Sequence, residues 1–246
     1  MKDQINSIED DLHSSDSLVN KLTAELKGLS VEASLKMLHA HYPGKAVFST
    51  SFGFEDQLIT HYIFSNQLNI RIATLDTGRL FPETYLVWNR TIEKYQQKIE
   101  AIYPEAGAIE KLVHEKGPLS FYQSIENRKE CCDIRKVGPL KRLLKGSEIW
   151  ITGIRAEQSG SRHDLGNVEW DDKNKMVKVH PLFELTSDAV WQEIKKQNIP
   201  YNSLHDKGFP SIGCQPCTRP VQPGEDFRAG RWWWEKNTGK ECGLHQ

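Results

Sequence analysis

Five cysteines are the side chains best suited to chemistry in this sequence, and their spacing divides them. Four form two pairs, the adjacent Cys131 and Cys132 and the C-x-x-C of Cys214 and Cys217, while Cys242 lies near the C-terminus. Two thiolate pairs brought together give a site for zinc or for an iron-sulfur cluster. Because adjacent side chains point apart, Cys131 and Cys132 suit the separate corners of a [4Fe-4S] cluster better than one zinc ion. A structural zinc site, or small buried side chains beside an unrelated C-x-x-C, are the alternatives.

Cys242 stands in the terminal sequence KECGLH. Lys240 and His245 flank it, and neighbouring positive charge holds a cysteine partly as the thiolate, which is its nucleophilic form. An incidental thiol at an exposed terminus is the alternative. We therefore regard Cys242 as a candidate nucleophile with His245 as its catalytic neighbour.

Basic residues accompany these cysteines. Lys136 follows the adjacent pair closely and could balance the negative charge of four thiolates while facing an anionic substrate. Two arginine pairs, Arg155 with Arg162 and Arg228 with Arg231, lie in glycine-containing segments. A guanidinium fork matches phosphate and sulfate oxygens, so these pairs predict an oxyanion site, although surface ion pairs are the commoner use of arginine.

Two polar loops follow predicted strands and are candidates for nucleotide binding. The loop SFGFED, which contains Ser51 and Gly53, joins a strand to a helix, where backbone N–H groups can hold phosphate oxygens. The segment Asp76, Thr77 and Gly78 ends the next strand and carries polar groups suited to a ribose or a base. Ordinary strand-to-helix turns are the alternative for both loops.

The elements that must position these residues alternate between strand and helix. Apolar strands are predicted over residues 45–50, 70–76 and 148–153, with a further extended segment over 175–185 and a helix over 186–197 that begins at Thr186 or Ser187. This alternation predicts an α/β fold, a doubly wound and mainly parallel sheet with helices on both faces, followed by an irregular C-terminal segment. We expect an N-terminal helical extension (1–40), a nucleotide-binding α/β domain with the metal site (41–220) and a mobile C-terminal segment (221–246).

Composition excludes several classes of protein. The chain has 246 residues, 38% hydrophobic and 26% charged, which is typical of a globular domain. Its longest stretch without Asp, Glu, Lys or Arg, residues 57–70, is interrupted by polar residues, so we expect no membrane partner. A net charge of −1 argues against a nucleic-acid-binding surface. With no apolar leader sequence, the cytoplasm is the expected location.

Seven segments together resemble the iron-sulfur branch of the assimilatory adenylyl-sulfate reductases, relatives of the 3′-phosphoadenylyl-sulfate (PAPS) reductases. They are SFGFEDQ, LDTGRLFPETY, KECCDIRKVGPL, GIRAEQSGSR, GCQPCTRP, FRAGRWWWE and KECGLH, spread from Lys45 to His245. The resemblance implies an adenine-nucleotide α-hydrolase-like fold, a [4Fe-4S] cluster on the four paired cysteines and a nucleophilic Cys242. The SFGFED loop departs from the SGGxDS pattern of related ATP pyrophosphatases.

The resemblance also implies a reaction. Cys242 attacks the sulfur of adenosine 5′-phosphosulfate, releases AMP and becomes S-sulfonated, after which thioredoxin or glutaredoxin releases sulfite for cysteine biosynthesis. Reduction of PAPS by the same chemistry is the main alternative. ATP-dependent sulfur transfer and an iron-sulfur redox regulator are the others, and a homo-oligomer is left open.

Overall fold

The computed structural model describes residues 15–158, 166–235 and 244. Its helices are α1 (15–26), α2 (Val31–His41), α3 (Phe54–Ser65), α4 (Pro82–Tyr95), α5 (Ala106–Lys116), α6 (Ile125–Cys132), α7 (Gly138–Leu144) and α8 (Ser187–Lys196). Its strands are β1 (Ala46–Thr50), β2 (Arg71–Leu75), β3 (Glu100–Ile102), β4 (Ile149–Ile151), β5 (Val168–Asp171) and β6 (Met176–Val179). No helix in these ranges is long and apolar enough to cross a membrane.

The six strands form one sheet in the order β3-β2-β1-β4-β6-β5. All neighbours are parallel except β5, which runs antiparallel to β6. The chain leaves β1 towards β2 on one side and places β4 on the other side. The boundary between β1 and β4 is therefore a topological switch point, where the loops at the carboxyl ends of the strands part and leave a crevice.

Helices cover both faces of the sheet, as the alternation predicts. On one face Phe48, Ile72 and Ile151 pack in a large core with side chains of α1, α2, α3 and α8. On the other face Val47 and Trp150 pack against side chains of α7. Successive strand residues point to opposite faces, which explains why Val47 and Phe48 belong to different cores.

The three apolar strands predicted from the sequence are confirmed, and so is the N-cap of α8, where the Thr186 hydroxyl accepts from Ala189 N at 3.1 Å. The extended segment predicted over 175–185 is a strand only as far as Val179. The basic stretch after Cys132 begins as a π-helix (Asp133–Val137) before α7. In the loop after β1 the left-handed residue is Phe52, with φ of 61°, rather than Gly53.

Candidate active site

A cleft opens at the switch point, at the carboxyl ends of β1, β2 and β4. It encloses about 1290 Å³ of empty space including its open mouth. The strand ends and following loops supply one side, including Ser51, Gly53, Thr77 and Thr152. Lys136, Arg228 and Arg231 supply cations from elsewhere in the chain, and Leu244 near the C-terminus also lines it.

A buried carboxylate shapes the loop after β1. Asp56 Oδ2 accepts hydrogen bonds from the backbone N–H of Ser51 at 2.5 Å and from its hydroxyl at 2.7 Å. A Cβ at Gly153, after β4, would overlap Asp56 Oδ1, so glycine there makes room for the carboxylate. Burial raises the pKa of Asp56 to about 7, against the lowering effect of the two Ser51 hydrogen bonds.

Arg155 lies behind this loop and is absent from the cleft lining. Its side chain is fully buried, and Nε and Nη2 donate to Glu55 Oε1 at 3.1 and 3.0 Å, while Nη1 donates to Glu157 Oε2 at 2.8 Å. Glu55 itself lines the cleft, and burial raises its pKa despite the nearby guanidinium. The structure therefore uses Arg155 to hold Glu55, rather than to face a ligand.

In the segment after β2 as well, one of the predicted site residues lines the cleft and the others do not. Asp76 and Gly78 do not line the cleft, because Asp76 accepts hydrogen bonds from Gly78 N at 2.8 Å and from the Tyr85 hydroxyl at 3.0 Å and so closes a turn. Thr77 does line it, and its hydroxyl oxygen lies 3.3 Å from Cys214 Sγ. The Thr77 carbonyl accepts from Arg135 Nη1 at 2.6 Å.

Four cysteines from two distant segments lie around one small cavity beside the cleft. Cys131 and Cys132 end α6, and Cys214 and Cys217 flank a short 3-10 turn; each side chain is buried. Four cationic side chains, Arg79, Arg128, Arg135 and Lys136, line the same cavity. Within the described ranges, no three His, Cys, Asp or Glu side chains are grouped closely enough to hold one metal ion.

The thiols differ in their electrostatic surroundings. Burial tends to raise the pKa of Cys214, but the positive charge of Lys136 and the Thr77 hydrogen bond outweigh it and leave the pKa below its usual value. Burial, together with Cys214, raises the pKa of Cys217 to about 12. Burial also raises the pKa of Cys131. Lys136, which lines both the cysteine cavity and the cleft, is thus the charge that the two sites share.

The chain matches the phosphoadenosine phosphosulfate reductase domain family over residues 45–220. The chain belongs to this family. The matched range includes the strands, the cleft loops and all four clustered cysteines, whereas Arg228, Arg231 and Cys242 lie beyond it.

The chain is also similar to proteins named adenosine 5′-phosphosulfate reductase. The chain is 46% identical over 224 residues to an adenosine 5′-phosphosulfate reductase of Sinorhizobium fredii, covering 91% of this chain and 89% of the relative. It is 48% identical over 200 residues to the enzyme of that name from Allochromatium vinosum, covering 81% and 78%. The fold is similar to that of a phosphoadenylyl-sulfate reductase from Candida auris, with a TM-score of 0.70, 24% identity and coverage of 82% and 96%.

The structure therefore brings many, but not all, of the predicted site residues together. Those that line the cleft are Ser51, Gly53, Thr77, Lys136, Arg228 and Arg231, and the four paired cysteines line the adjoining cavity. Asp76 and Gly78 are hydrogen-bonded to each other in the turn that carries Thr77, and Arg155 holds Glu55. Arg162, Cys242 and His245 lie outside the described residues.

Several site residues escaped the sequence analysis. Asp56 and Thr152 line the cleft, and Arg79 and Arg128 line the cysteine cavity. Trp232 is buried, with the guanidinium groups of Arg128 and Arg231 at 4.6 and 4.9 Å from the centre of its ring. The position of Arg128 one helical turn before the adjacent cysteines was the one signal available in the sequence.

Proposed function

We propose that this protein reduces adenosine 5′-phosphosulfate to sulfite and AMP in sulfate assimilation. The observation that carries the proposal is one cleft at the switch point that is lined both by strand-end loops and by three cationic side chains, one of them shared with a four-cysteine cavity. The names of the relatives at 46% and 48% identity support this substrate over its 3′-phosphorylated form.

The proposed reaction has two steps. The Cys242 thiolate attacks the sulfate sulfur, a Cys242 S–S bond forms, and the bond from that sulfur to the bridging oxygen breaks, so that AMP leaves with the electron pair. A thiolate of an external dithiol then attacks Cys242 Sγ and sulfite leaves with the electrons of the broken S–S bond. The second thiol of the donor resolves the mixed disulfide and regenerates the Cys242 thiol, which completes a two-electron reduction.

Positive charge is the main requirement of the first step, because an anionic thiolate must approach an anionic substrate. Lys136, Arg228 and Arg231 line the cleft and supply that charge in a partly enclosed site. We assign Arg162 the same role, and His245 that of assisting Cys242. Leu244, two residues after Cys242, lines the cleft and packs beside the core of α7, which supports delivery of this terminal segment to the substrate.

The four clustered cysteines fit a [4Fe-4S] cluster. Their side chains come from two distant segments and line one cavity, together with four cationic side chains. Nε of Arg135 is buried there without a hydrogen-bond partner in the described structure. Such a cluster needs one thiolate at each corner and adds negative charge, which Lys136 and Arg135 balance. We propose that it organises α6 and the Cys214 loop, and zinc is the alternative occupant.

The electron donor is proposed to be thioredoxin or glutaredoxin. Once four of the five cysteines hold the cluster, Cys242 has no resolving partner of its own, so an external dithiol is required. We propose the cytoplasm as the location of this protein, because thiolate ligands and a nucleophilic Cys242 need a reducing compartment.

Turnover of three nucleotides tests the proposal. Anaerobically purified protein, assayed for iron, acid-labile sulfide and zinc, is given adenosine 5′-phosphosulfate, PAPS or ATP with reduced thioredoxin or glutaredoxin. We expect sulfite and AMP, with the highest kcat/KM for adenosine 5′-phosphosulfate. Pyrophosphate from ATP without sulfite from either sulfonucleotide would instead support an ATP-dependent relative. No turnover of any nucleotide by cluster-loaded protein would favour a redox regulator.

A further inference from the structure

A chain of buried polar groups runs from the edge of the sheet to the cleft. The Thr152 hydroxyl lies 2.7 Å from His180 Nδ1, and His180 Nε2 lies 3.4 Å from Glu169 Oε1. His180 is fully buried and Thr152 is 3% exposed, yet Thr152 lines the cleft. Nothing in the reaction proposed above uses this arrangement.

The sheet topology holds the three residues in line. Thr152 follows β4, His180 follows β6 and Glu169 lies in β5, and these strands are neighbours in that order. Backbone hydrogen bonds fix both connections, from Thr152 N to Val179 O at 3.0 Å and from His180 N to Asn167 O at 2.8 Å. The geometry therefore does not depend on a flexible loop.

The carboxylate determines which ring nitrogen carries the proton. Lys178 Nζ lies 3.1 Å from Glu169 Oε1, and although burial opposes ionisation, the neighbouring His180 ring and the Lys178 charge lower the pKa of Glu169 to about 2. The ionised carboxylate oxygen, 3.4 Å from Nε2, attracts a proton at that nitrogen electrostatically, which favours the tautomer with the proton on Nε2. With the proton on Nε2 alone, the ring accepts at Nδ1, and the Thr152 hydroxyl donates to it.

This direction leaves Thr152 Oγ1 as an acceptor on the cleft side. Besides donating to His180, it receives one long hydrogen bond, from Ile154 N at 3.4 Å. Phosphate and sulfate groups carry no donor at neutral pH, whereas a nucleoside offers the exocyclic amine of adenine and the ribose hydroxyls.

We propose that Thr152 reads a hydrogen-bond donor of the nucleoside part of the substrate, and that His180, held by Glu169, is the positioning residue that orients its hydroxyl. This inference rests on the proposed function only in taking an adenine nucleotide as the ligand. It makes Thr152 a specificity residue for the nucleoside and not for the sulfate.

Affinity for AMP tests the proposal in four variants of the full-length protein. Thr152→Val keeps the shape and removes the hydroxyl, so the Kd for AMP should rise roughly 3- to 10-fold, the effect of one neutral hydrogen bond. Thr152→Ser should bind like the wild type. His180→Phe should weaken AMP binding, whereas His180→Asn, which keeps an acceptor near the position of Nδ1, should bind AMP like the wild type. Melting temperatures of all four variants check that they are folded.

Two further measurements separate reading of the ligand from structural support. His180→Phe should cause no further loss in the Thr152→Val background, because His180 acts through Thr152. Inosine monophosphate and the 2′- and 3′-deoxy forms of AMP identify the donor, since the analogue that lacks it should bind wild type and Thr152→Val equally.

Three outcomes would overturn the inference. They are unchanged AMP binding in Thr152→Val, equal losses for AMP and every analogue, and additive losses in the double variant. Absence of AMP binding by the wild type would overturn the proposed function as well, whereas normal wild-type binding with an unaffected Thr152→Val would overturn this inference alone.

Discussion

The residues that line the cleft fall into two chemically different sets, called here the strand-end side and the cation side. The strand-end side, formed by Ser51, Gly53, Asp56 and Thr152, is neutral or acidic and held by short hydrogen bonds to buried groups. The cation side, formed by Lys136, Arg228 and Arg231, comes from segments that only the tertiary fold brings together and adjoins the cysteine cavity. A neutral nucleoside suits the first side, and the anionic phosphosulfate suits the second.

This contrast predicts which measured property a substitution in each set should alter first. The strand-end side is part of the sheet and its buried ion pairs, so substitutions there should first alter stability and nucleotide affinity. The cation side faces the transferring group, so substitutions there should first alter the rate of the chemical step.

The largest expected effect on stability is that of Arg155→Met. It leaves Glu55 buried and unpaired behind the strand-end side, which should lower the free energy of unfolding by about 3–5 kcal/mol. Denaturant unfolding checks this. Glu157→Gln is the matched control, since the Glu157 side chain is 48% exposed and its pairing with Arg155 should contribute at most about 1 kcal/mol. Equal, small losses in both variants would contradict the supporting role of Arg155.

Lys136→Ala should act mainly on the rate. Removing a charge that faces the transferring group should lower kcat/KM by roughly 10²- to 10³-fold. The Kd for AMP should change much less, and iron content, measured in parallel, shows whether the cysteine cavity is still loaded. Lys141→Ala, at an exposed position on α7, should retain wild-type activity. Parallel losses of AMP affinity and rate in Lys136→Ala would place the lysine on the nucleoside instead.

A more gradual effect is expected from pH. The pKa of Asp56 is raised from 3.8 to about 7 in the folded protein, so between these values the native state keeps a proton that the unfolded state has lost. Its contribution to stability is therefore full below pH 3.8 and declines as pH rises towards 7, by at most about 1.4 kcal/mol per pH unit. The difference in unfolding free energy between wild type and Asp56→Asn should follow this slope. A constant difference from pH 4 to 7 would contradict the raised pKa.

Much of the sheet could be predicted from the sequence because its central strands are apolar and flanked by helices. The edge strands could not. β3 has only three residues, and β5, with the sequence VEWD, carries charged residues that pair with Lys178. Their pairing depends on partners elsewhere in the chain, which local hydrophobicity does not report.

The site was predictable where residue type alone limits the chemistry. Paired cysteines and loops after strands pointed to the cavity and the cleft that the structure contains. Arg155 and Asp56 show the limit of this reasoning. In the sequence, an arginine that binds a buried glutamate looks the same as one that binds an anionic ligand. The space for the Asp56 carboxylate depends on Gly153, nearly a hundred residues away in the chain.

The central claim is that Cys242 receives the sulfuryl group, and intact-protein mass spectrometry tests it directly. Anaerobic wild-type protein is mixed with adenosine 5′-phosphosulfate without a dithiol donor, beside Cys242→Ser. The account predicts that wild type alone gains the mass of one SO₃ group with release of one equivalent of AMP. Two results would contradict it. One is an unmodified wild-type chain whose iron and acid-labile sulfide content shows that the cysteine cavity holds its cluster, and the other is the same adduct on Cys242→Ser.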